Sequence, residues 1–463
     1  MTLIKSISGI RGTIGGKTGD NLTPLDLVKF TSSFAKFIKN RSNKQKIEIV
    51  IGRDARVSGE MVNNIVVGTL QSMGANVLDI GFSTTPTVEI AVTDSEADGG
   101  IILTASHNPG QWNALKLLNE KGEFLSADDG VQILDIADKE DFLFNDVGEI
   151  GTYDEDDEYI ERHIEKILKL SLVDTKAIKN ADFRVAIDCV NSTGGIAIPA
   201  LLSALGVSKV DEIYCEPNGI FPHNPEPLPE NLTELSELVT SKKADVGFVV
   251  DPDVDRLAII CENGEMFGEE YTLVCVADYI LQNQKGNSVS NLSSTKALRD
   301  VTEKLGGEYF ASAVGEVNVV EMMKEKNAII GGEGNGGIIY PELHYGRDAL
   351  VGIALFLTYL AKKDMKVSEL RKSYPNYVIS KNKIQLSPDI DVDKILSEIK
   401  DIYKNQKLNT IDGVKIEFND EWVHLRKSNT EPIIRIYSES STAKRANKLA
   451  DMIKNDVNKI VNC

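Results

Sequence analysis

Residues 99–109 read Gly99-Gly100-Ile101-Ile102-Leu103-Thr104-Ala105-Ser106-His107-Asn108-Pro109. Five small or apolar residues run into a turn that proline enforces, because it has no N–H to give and pushes its predecessor out of the helical region. The pattern predicts a strand, Gly99–Leu103, that delivers Ser106 at its end with the hydroxyl accessible. Taken alone this is a strand and a turn. Its weight comes from recurrence.

The same figure returns along the chain. Ile47–Ile51 predicts a strand, followed by the polar loop Gly52-Arg53-Asp54-Ala55-Arg56, a helix over about 60–73, a strand at 76–80, and the Ser106 strand. A second round opens at Arg184–Asp188 and passes through Asn191-Ser192-Thr193-Gly194-Gly195, a helix to Leu205 and strands at 210–214 and 245–250. It ends in Asp251-Pro252-Asp253-Val254-Asp255-Arg256. A fainter third round runs through strands at 288–292, 308–313 and 328–330, with a helix over about 295–305. It ends in Gly332-Glu333-Gly334-Asn335-Gly336-Gly337. Strands alternating with helices imply α/β units with largely parallel sheets, whose ligands gather at the carboxyl ends of the strands. Three such ends, each with its own loop, are expected to face one cleft. From Tyr374 onward, short strands (378–384, 414–418, 422–427, 433–438) alternate with helices (392–404, 442–461), which predicts a separate α+β domain. A chain of 463 residues exceeds one hydrophobic core. The expected domains are 1–150, 151–250, 251–370 and 371–463.

The net charge of −19 argues against a nucleic-acid partner but leaves room for a small anion held by local arginines and lysines. Five scattered cysteines without a CxxC pair read as reduced thiols of a cytoplasmic protein. The N-terminal MTLIKSISGIRG has no apolar signal core, and the most apolar later stretch, 351–361, is too short to span a bilayer. No membrane association is expected.

Asp251, Asp253 and Asp255 place three carboxylates at alternating positions after an apolar strand, a hard-oxygen set that suits Mg²⁺; the bland alternative is a solvated acidic turn. An EF-hand is excluded although Glu262 falls at its last position, because Arg256 stands where the turn glycine is needed and 257–261 reads as a strand. Residues 332–337 match G-x-G-x-x-G, but Ile338-Ile339-Tyr340-Pro341 follows instead of the helix that would meet a pyrophosphate. The better reading is a loop presenting Glu333 and Asn335 to sugar hydroxyls, against a plain glycine turn. Arg426-Lys427-Ser428-Asn429-Thr430-Glu431-Pro432 with Arg435 mixes guanidinium groups, small hydroxyls and amides, which together grip a phosphate. Arg11, in Ser8-Gly9-Ile10-Arg11-Gly12, and Lys116 are single-residue signals, and one strand-like return brings Lys116 back toward Ser106. His344 and Arg347, in His-Tyr-Gly-Arg-Asp, line the site or are ordinary loop residues.

Together and in this order, SGIRG, TASHNPGQWNALK, DPDVDR, GEGNGG and RKSNTEPIIR resemble the loops of the α-D-phosphohexomutase family over nearly the whole chain. The resemblance implies three related α/β domains with mixed sheets around a central cleft, plus a C-terminal α+β domain. It implies a reversible shift of phosphate between the 1- and 6-positions of an aldohexose. Ser106 aligns with the phosphoserine, which donates its phosphoryl group; the resulting 1,6-bisphosphate turns over and returns the other phosphate. Asp251, Asp253 and Asp255, with the phosphoserine oxygen, are then the Mg²⁺ ligands. Arg11, Lys116 and His107 are the implied catalytic neighbours, and Arg256 follows the metal ligands. Arg426, Ser428, Asn429, Thr430 and Arg435 are implied holders of the phosphate not being transferred. Glucose or glucosamine 1,6-bisphosphate is the expected activator. Two departures bear on specificity. GEGNGG stands where better-known bacterial members carry GEMSGH or GEQSGH, and 313–318 lacks the histidine typical of phosphomannomutase/phosphoglucomutase enzymes. Both lean toward the phosphoglucosamine mutase branch, with Glu316 as a partner for a substrate ammonium. The nearest rival is the same chemistry on mannose or glucose phosphates. A metal-dependent phosphatase and a non-catalytic sugar-phosphate binder are more distant readings, and the oligomeric state is left open.

Overall fold

Runs of Ile, Val and Leu such as Glu48–Arg53 and Val246–Val250 form buried strands, and the amphipathic stretches between them form the covering helices. A computed structural model describes residues 2–6, 9–42, 44–385, 390–427 and 433–461. The chain packs as two compact units, Met1–Thr272 with Asn335–Glu369, and Leu273–Gly334 with Leu370–Cys463.

The first unit holds two mixed sheets. One has seven strands in the order Ile4–Ser6, Gly9–Thr13, Trp112–Leu118, Gly99–Leu103, Glu48–Arg53, Asn76–Phe82, Tyr153–Glu155. Gly99–Leu103 is buried at all five positions, parallel to Glu48–Arg53 and antiparallel to Trp112–Leu118. Its neighbours put the ends of two polar loops side by side, since Arg53 pairs with Leu103. The other sheet has four strands, Leu257–Cys261, Val246–Val250, Arg184–Asp188, Lys209–Ile213. Only the pairing of Leu257–Cys261 is antiparallel. This repeats the order of the four consecutive strands from Trp112–Leu118 to Asn76–Phe82, so the repeat read in the sequence is a repeat of topology. The helix Ala349–Lys363 is buried at every position from Ala349 to Leu360 and packs in this unit against Tyr159–Lys169 and Thr175–Ala181. Its all-round apolar character is that of a core helix. Among the described residues no helix is long and apolar enough to cross a membrane.

In the second unit Tyr309–Ser312, Asn287–Asn291 and Ala328–Glu333 lie side by side in parallel, the third instance of the pattern. The C-terminal part is a five-stranded antiparallel sheet: Val378–Gln385, Ile433–Ser440, Glu421–Lys427, Val414–Phe418, Lys407–Asn409. Helices Val392–Ile402 and Ala443–Val461 cover it through Ile395, Ile399, Leu449 and Ile453.

Candidate active site

Ser106 sits at the carboxyl end of its strand with φ +49°, a left-handed conformation that side chains rarely adopt. The surrounding loop over-determines it. The Ser106 N–H donates to Thr104 Oγ1 at 2.9 Å, and Thr104 donates in turn to Asp54 Oδ2 at 2.6 Å. Arg56, 1% exposed, is paired with Asp54 at 3.0 Å and donates to the carbonyls of Ser106, Asn108 (2.7 Å), Pro109 (2.7 Å) and Trp112 (3.0 Å). One planar fork thus fixes the whole serine turn.

The acidic loop approaches this turn from the second sheet. Ser106 Oγ donates to Asp251 Oδ2 at 2.8 Å and lies 3.3 Å from His107 Nδ1. Asp251, Asp253 and Asp255 are all 0% exposed, with carboxylate oxygens within 4.8 Å of one another. Val254 between them has φ +62°, so the loop carries backbone strain that glycine would relieve. Thr85, Ser192 and Thr193 hold this loop: Thr85 Oγ1 donates to Asp253 Oδ2 at 2.6 Å, and the other two hydroxyls donate to Pro252 O at 2.7 and 3.0 Å.

Three cations face the carboxylates. Lys116 Nζ lies 2.6 Å from Asp253 Oδ2 and 3.4 Å from Asp255 Oδ2. Burial opposes its charge, but the two aspartates prevail and hold its pKa above the ordinary lysine value. Arg347 donates to Asp255 Oδ2 at 2.7 Å. Arg256 donates its backbone N–H to Asp251 Oδ1 at 3.1 Å, and its side chain lies 3.8 Å from Glu226. Burial and the like charges of Asp255 and Asp253 push the Asp251 carboxyl up, whereas Lys116 holds Asp253 below the usual carboxylate range against its burial. Burial, reinforced by Arg256, lowers His107 to about 2 and keeps its imidazole neutral.

This donor set fits a divalent cation. Asp253 Oδ1 and Asp255 Oδ1 are buried without a hydrogen-bond partner. A phosphoryl dianion on Ser106 would add two negative charges beside these carboxylates, which a hard dication balances.

The structure places the remaining predicted residues as follows. Arg11 lies on Gly9–Thr13, paired in register with Ala114 of the Lys116 strand. His344 is tied to Glu89 and Asp348. Asn335, in the first unit, accepts from the Gly337 N–H at 3.2 Å. In the second unit Glu333 is 6% exposed and accepts from Asn291 at 2.8 Å and from the Gly315 N–H at 3.2 Å; Glu316 begins the next helix. Arg426 and Arg435 stand directly opposite each other on adjacent antiparallel strands. Burial, and then Arg435, lower the Arg426 pKa, and its Nε is buried without a partner. Two guanidinium groups so placed repel unless an anion joins them. Ser428, Asn429 and Thr430 lie outside the described residues. The sequence alone assigns no role to Arg56, Asp54, Thr104, Thr85 or Glu226. Arg56 and Asp54 lie in the GRDAR loop, a polar turn after a strand, and Thr104 lies in the Ser106 stretch.

Four domain profiles of one family match the chain in order: phosphoglucomutase/phosphomannomutase alpha/beta/alpha domains I (residues 3–144), II (158–264) and III (268–377), and the C-terminal domain (386–456). The chain belongs to the phosphoglucomutase/phosphomannomutase family. It is thereby a phosphosugar mutase of the α-D-phosphohexomutase group. A Thermococcus kodakarensis "Phosphoglucomutase/phosphomannomutase" is 36% identical, covering 95% of this chain and 96% of its own. A Sulfurisphaera tokodaii "Phosphoglucosamine/phosphogalactosamine mutase" is 33% identical, covering 96% and 97%. Among solved structures, a phosphoglucomutase/phosphomannomutase family protein of Burkholderia thailandensis shares the mutase fold at a TM-score of 0.83 and 23% identity, covering 99% and 98%. The Aspergillus fumigatus N-acetylphosphoglucosamine mutase in complex with GlcNAc-6P and magnesium aligns at a TM-score of 0.61 and 13% identity, covering 99% and 96%.

Proposed function

We propose that this mutase interconverts glucosamine 6-phosphate and glucosamine 1-phosphate through a phosphorylated Ser106 and a 1,6-bisphosphate. The observation that carries the chemistry is Ser106 Oγ at 2.8 Å from Asp251, within a wholly buried set of three carboxylates. A sugar hydroxyl oxygen forms the new bond to phosphorus as the bond from phosphorus to Ser106 Oγ breaks. The proton that the hydroxyl loses balances the one Ser106 regains, and the reverse step takes the other phosphate back to Ser106. Lys116, ion-paired with Asp253 and Asp255, supplies positive charge where oxygen becomes anionic. His107, in the tautomer with hydrogen on Nδ1, donates to the oxygen of the free serine, whose own proton goes to Asp251, and orients it. Asp251, Asp253 and Asp255, with a phosphoserine oxygen, would hold Mg²⁺, which supplies charge neutralisation for the transferring group. Arg426 and Arg435, with Ser428, Asn429 and Thr430, take the phosphate that is not transferred. A sugar 1,6-bisphosphate activates the enzyme by phosphorylating Ser106.

The amino-sugar reading rests on GEGNGG, on Glu316 beside the Glu333–Gly315 contact, and on the name of the Sulfurisphaera relative. The Thermococcus relative favours the second reading, glucose and mannose phosphates with the same mechanism. Scattered thiols, with Cys189, Cys215, Cys261 and Cys275 free, accord with a cytoplasmic enzyme. Parallel assays with Mg²⁺ and traces of the matching 1,6-bisphosphates decide between the sugars. The highest kcat/KM is expected on glucosamine phosphate, without net release of phosphate. Equal or better turnover of glucose or mannose phosphate transfers the enzyme to the second reading. Net phosphate release would make it a phosphatase, and full mutase activity in Ser106→Ala would remove the phosphoserine from the mechanism.

A further inference from the structure

The acidic loop is gripped from two sides. On one side the first turn of helix Thr85–Asp94 holds Asp253, with the Thr85 N–H donating to Asp253 O at 2.8 Å and its hydroxyl to Oδ2. On the other, the segment 344–349 holds its second half. Arg347 donates to Asp255 Oδ2, and the Ala349 N–H donates to Val254 O at 3.2 Å.

A buried polar cluster joins the two grips. Glu89 lies one turn beyond Thr85 on the same helix, and Asp348 directly follows Arg347. His344 stands between them, with Nδ1 3.2 Å from Glu89 Oε2 and Nε2 3.3 Å from Asp348 Oδ2. His163, from helix Tyr159–Lys169, completes the cluster: Nε2 is 2.9 Å from Asp348 Oδ2 and Nδ1 is 3.0 Å from Thr87 Oγ1. Asp348 Oδ1 accepts from the N–H groups of Leu350 and Val351, capping the helix that follows. At Gly346 a Cβ would stand 1.7 Å from Glu89 Oε2, so any larger residue here displaces the carboxylate from its place.

Glu89 and Asp348 are 2% and 0% exposed; His344 contacts both and His163 contacts Asp348, and two buried carboxylates so placed need a charged imidazole between them. Burial opposes the charge, but Asp348 and Glu89 prevail and push His344 up to about 10. His163, His344 and Asp348 are also close enough to share a metal ion. Every ring nitrogen already has a hydroxyl or carboxylate within 3.3 Å, so the hydrogen-bonded and ion-paired closure accounts for the cluster by itself.

We infer that His344 is a positioning residue for phosphoryl transfer: by tying Glu89 to Asp348 it fixes the spacing of the Thr85 and Arg347 grips on Asp253 and Asp255. The inference rests on the reading of the three aspartates as a cation site, and it deepens that reading.

The test uses the full-length protein, with Mn²⁺ alone as the binding probe, followed by the electron paramagnetic resonance signal of the free ion. His344→Gln leaves one amide to serve two carboxylates. Its Mn²⁺ Kd is expected to rise roughly tenfold, as for other residues that orient metal ligands, and kcat to fall by a similar factor while the sugar-phosphate KM stays near wild type. Adding Glu89→Gln removes the uncompensated charge and should recover most of both losses. A lowered Tm with unchanged Mn²⁺ Kd and kcat would mean a merely structural role and overturn the inference. If His344→Gln does not fold, Glu89→Ala, which removes the group His344 ties to on that helix, carries the test with the same readouts, and wild-type values in it overturn the inference. Asp255→Asn separates the two levels. If it too leaves Mn²⁺ binding intact, the cation-site reading fails; if it abolishes binding while the His344 and Glu89 variants bind normally, only the positioning role fails.

Discussion

Ser106 holds a backbone conformation that a serine would not choose in isolation, and the price of that geometry falls on Arg56. Its guanidinium meets four loop carbonyls and Asp54, all from a position 1% exposed. Lysine at this position presents a point charge that cannot span the same fork. Arg56→Lys keeps the charge but leaves loop carbonyls without a donor, and is therefore expected to lower stability by about 1–3 kcal/mol. It should also lower kcat roughly tenfold with little change in KM, because the serine turn relaxes while the sugar contacts stay. Urea unfolding and steady-state kinetics check both parts; an unchanged kcat in the folded variant would show that the turn holds itself. Arg56 also marks the limit of what the sequence made legible. Ser106 and the three aspartates, which the structure brings together, stand out in the sequence as candidates because they lie in short polar runs directly after a strand. Arg56 acts on a residue 50 positions away, Thr85 on one 168 away and His163 on one 185 away. No local pattern announces such partners.

At the scale of elements the same contrast holds. Strands Gly99–Leu103, Arg184–Asp188 and Val414–Phe418 lie where their apolar runs predict them. After GEGNGG comes the strand Gly337–Ile339 and not a helix, and Glu262 accepts hydrogen bonds from Ser368 at 2.6 and 3.0 Å, outside any EF-hand. Helix Thr85–Asp94 was not anticipated, because its first turn is polar and its start depends on a capping hydroxyl, Thr84, and on Pro86. That helix and Ala349–Lys363 are bolted together by Glu89, His344 and Asp348, and the bolt is sensitive to pH. The folded-state pKa of His344, about 10, lies above its ordinary value of 6.5. Its contribution to stability is thus complete below pH 6.5 and is lost as pH rises through 10. Titrations away from Glu89, Asp348 and His163, the groups that face His344, affect wild type and His344→Gln alike. The stability difference between the two proteins should therefore be largest near pH 6 and shrink steadily toward pH 10 and above. Urea unfolding of both at pH 6, 8 and 10 measures it, and a difference that stays flat would show that His344 is neutral in the folded protein.

For the whole molecule, the two compact units divide the candidate chemistry. Asp251, Asp253, Asp255 and Ser106 belong to the first unit, whereas Arg426 and Arg435 belong to the second. A cation bound only by the first should stabilise only the first, by about 2.7 kcal/mol at a hundred times its Kd. The chain supplies one tryptophan for each unit: Trp112 in the first and Trp422, 2% exposed, in the second. In Trp422→Phe, the fluorescence transition of Trp112 in urea should move to higher denaturant as Mg²⁺ is added. In Trp112→Phe, the transition of Trp422 should stay in place. A chain of net charge −19 gains from any added salt through screening, so KCl at matched ionic strength is the necessary reference. Asp253→Asn supplies the second reference, since it should erase the Mg²⁺ response of Trp112 without altering the KCl response. Equal Mg²⁺ shifts for both tryptophans would mean either that the units unfold as one or that the second unit binds the cation itself. Asp253→Asn then decides between them, because a single cooperative molecule loses both shifts with that one carboxylate, whereas a second site keeps the shift at Trp422.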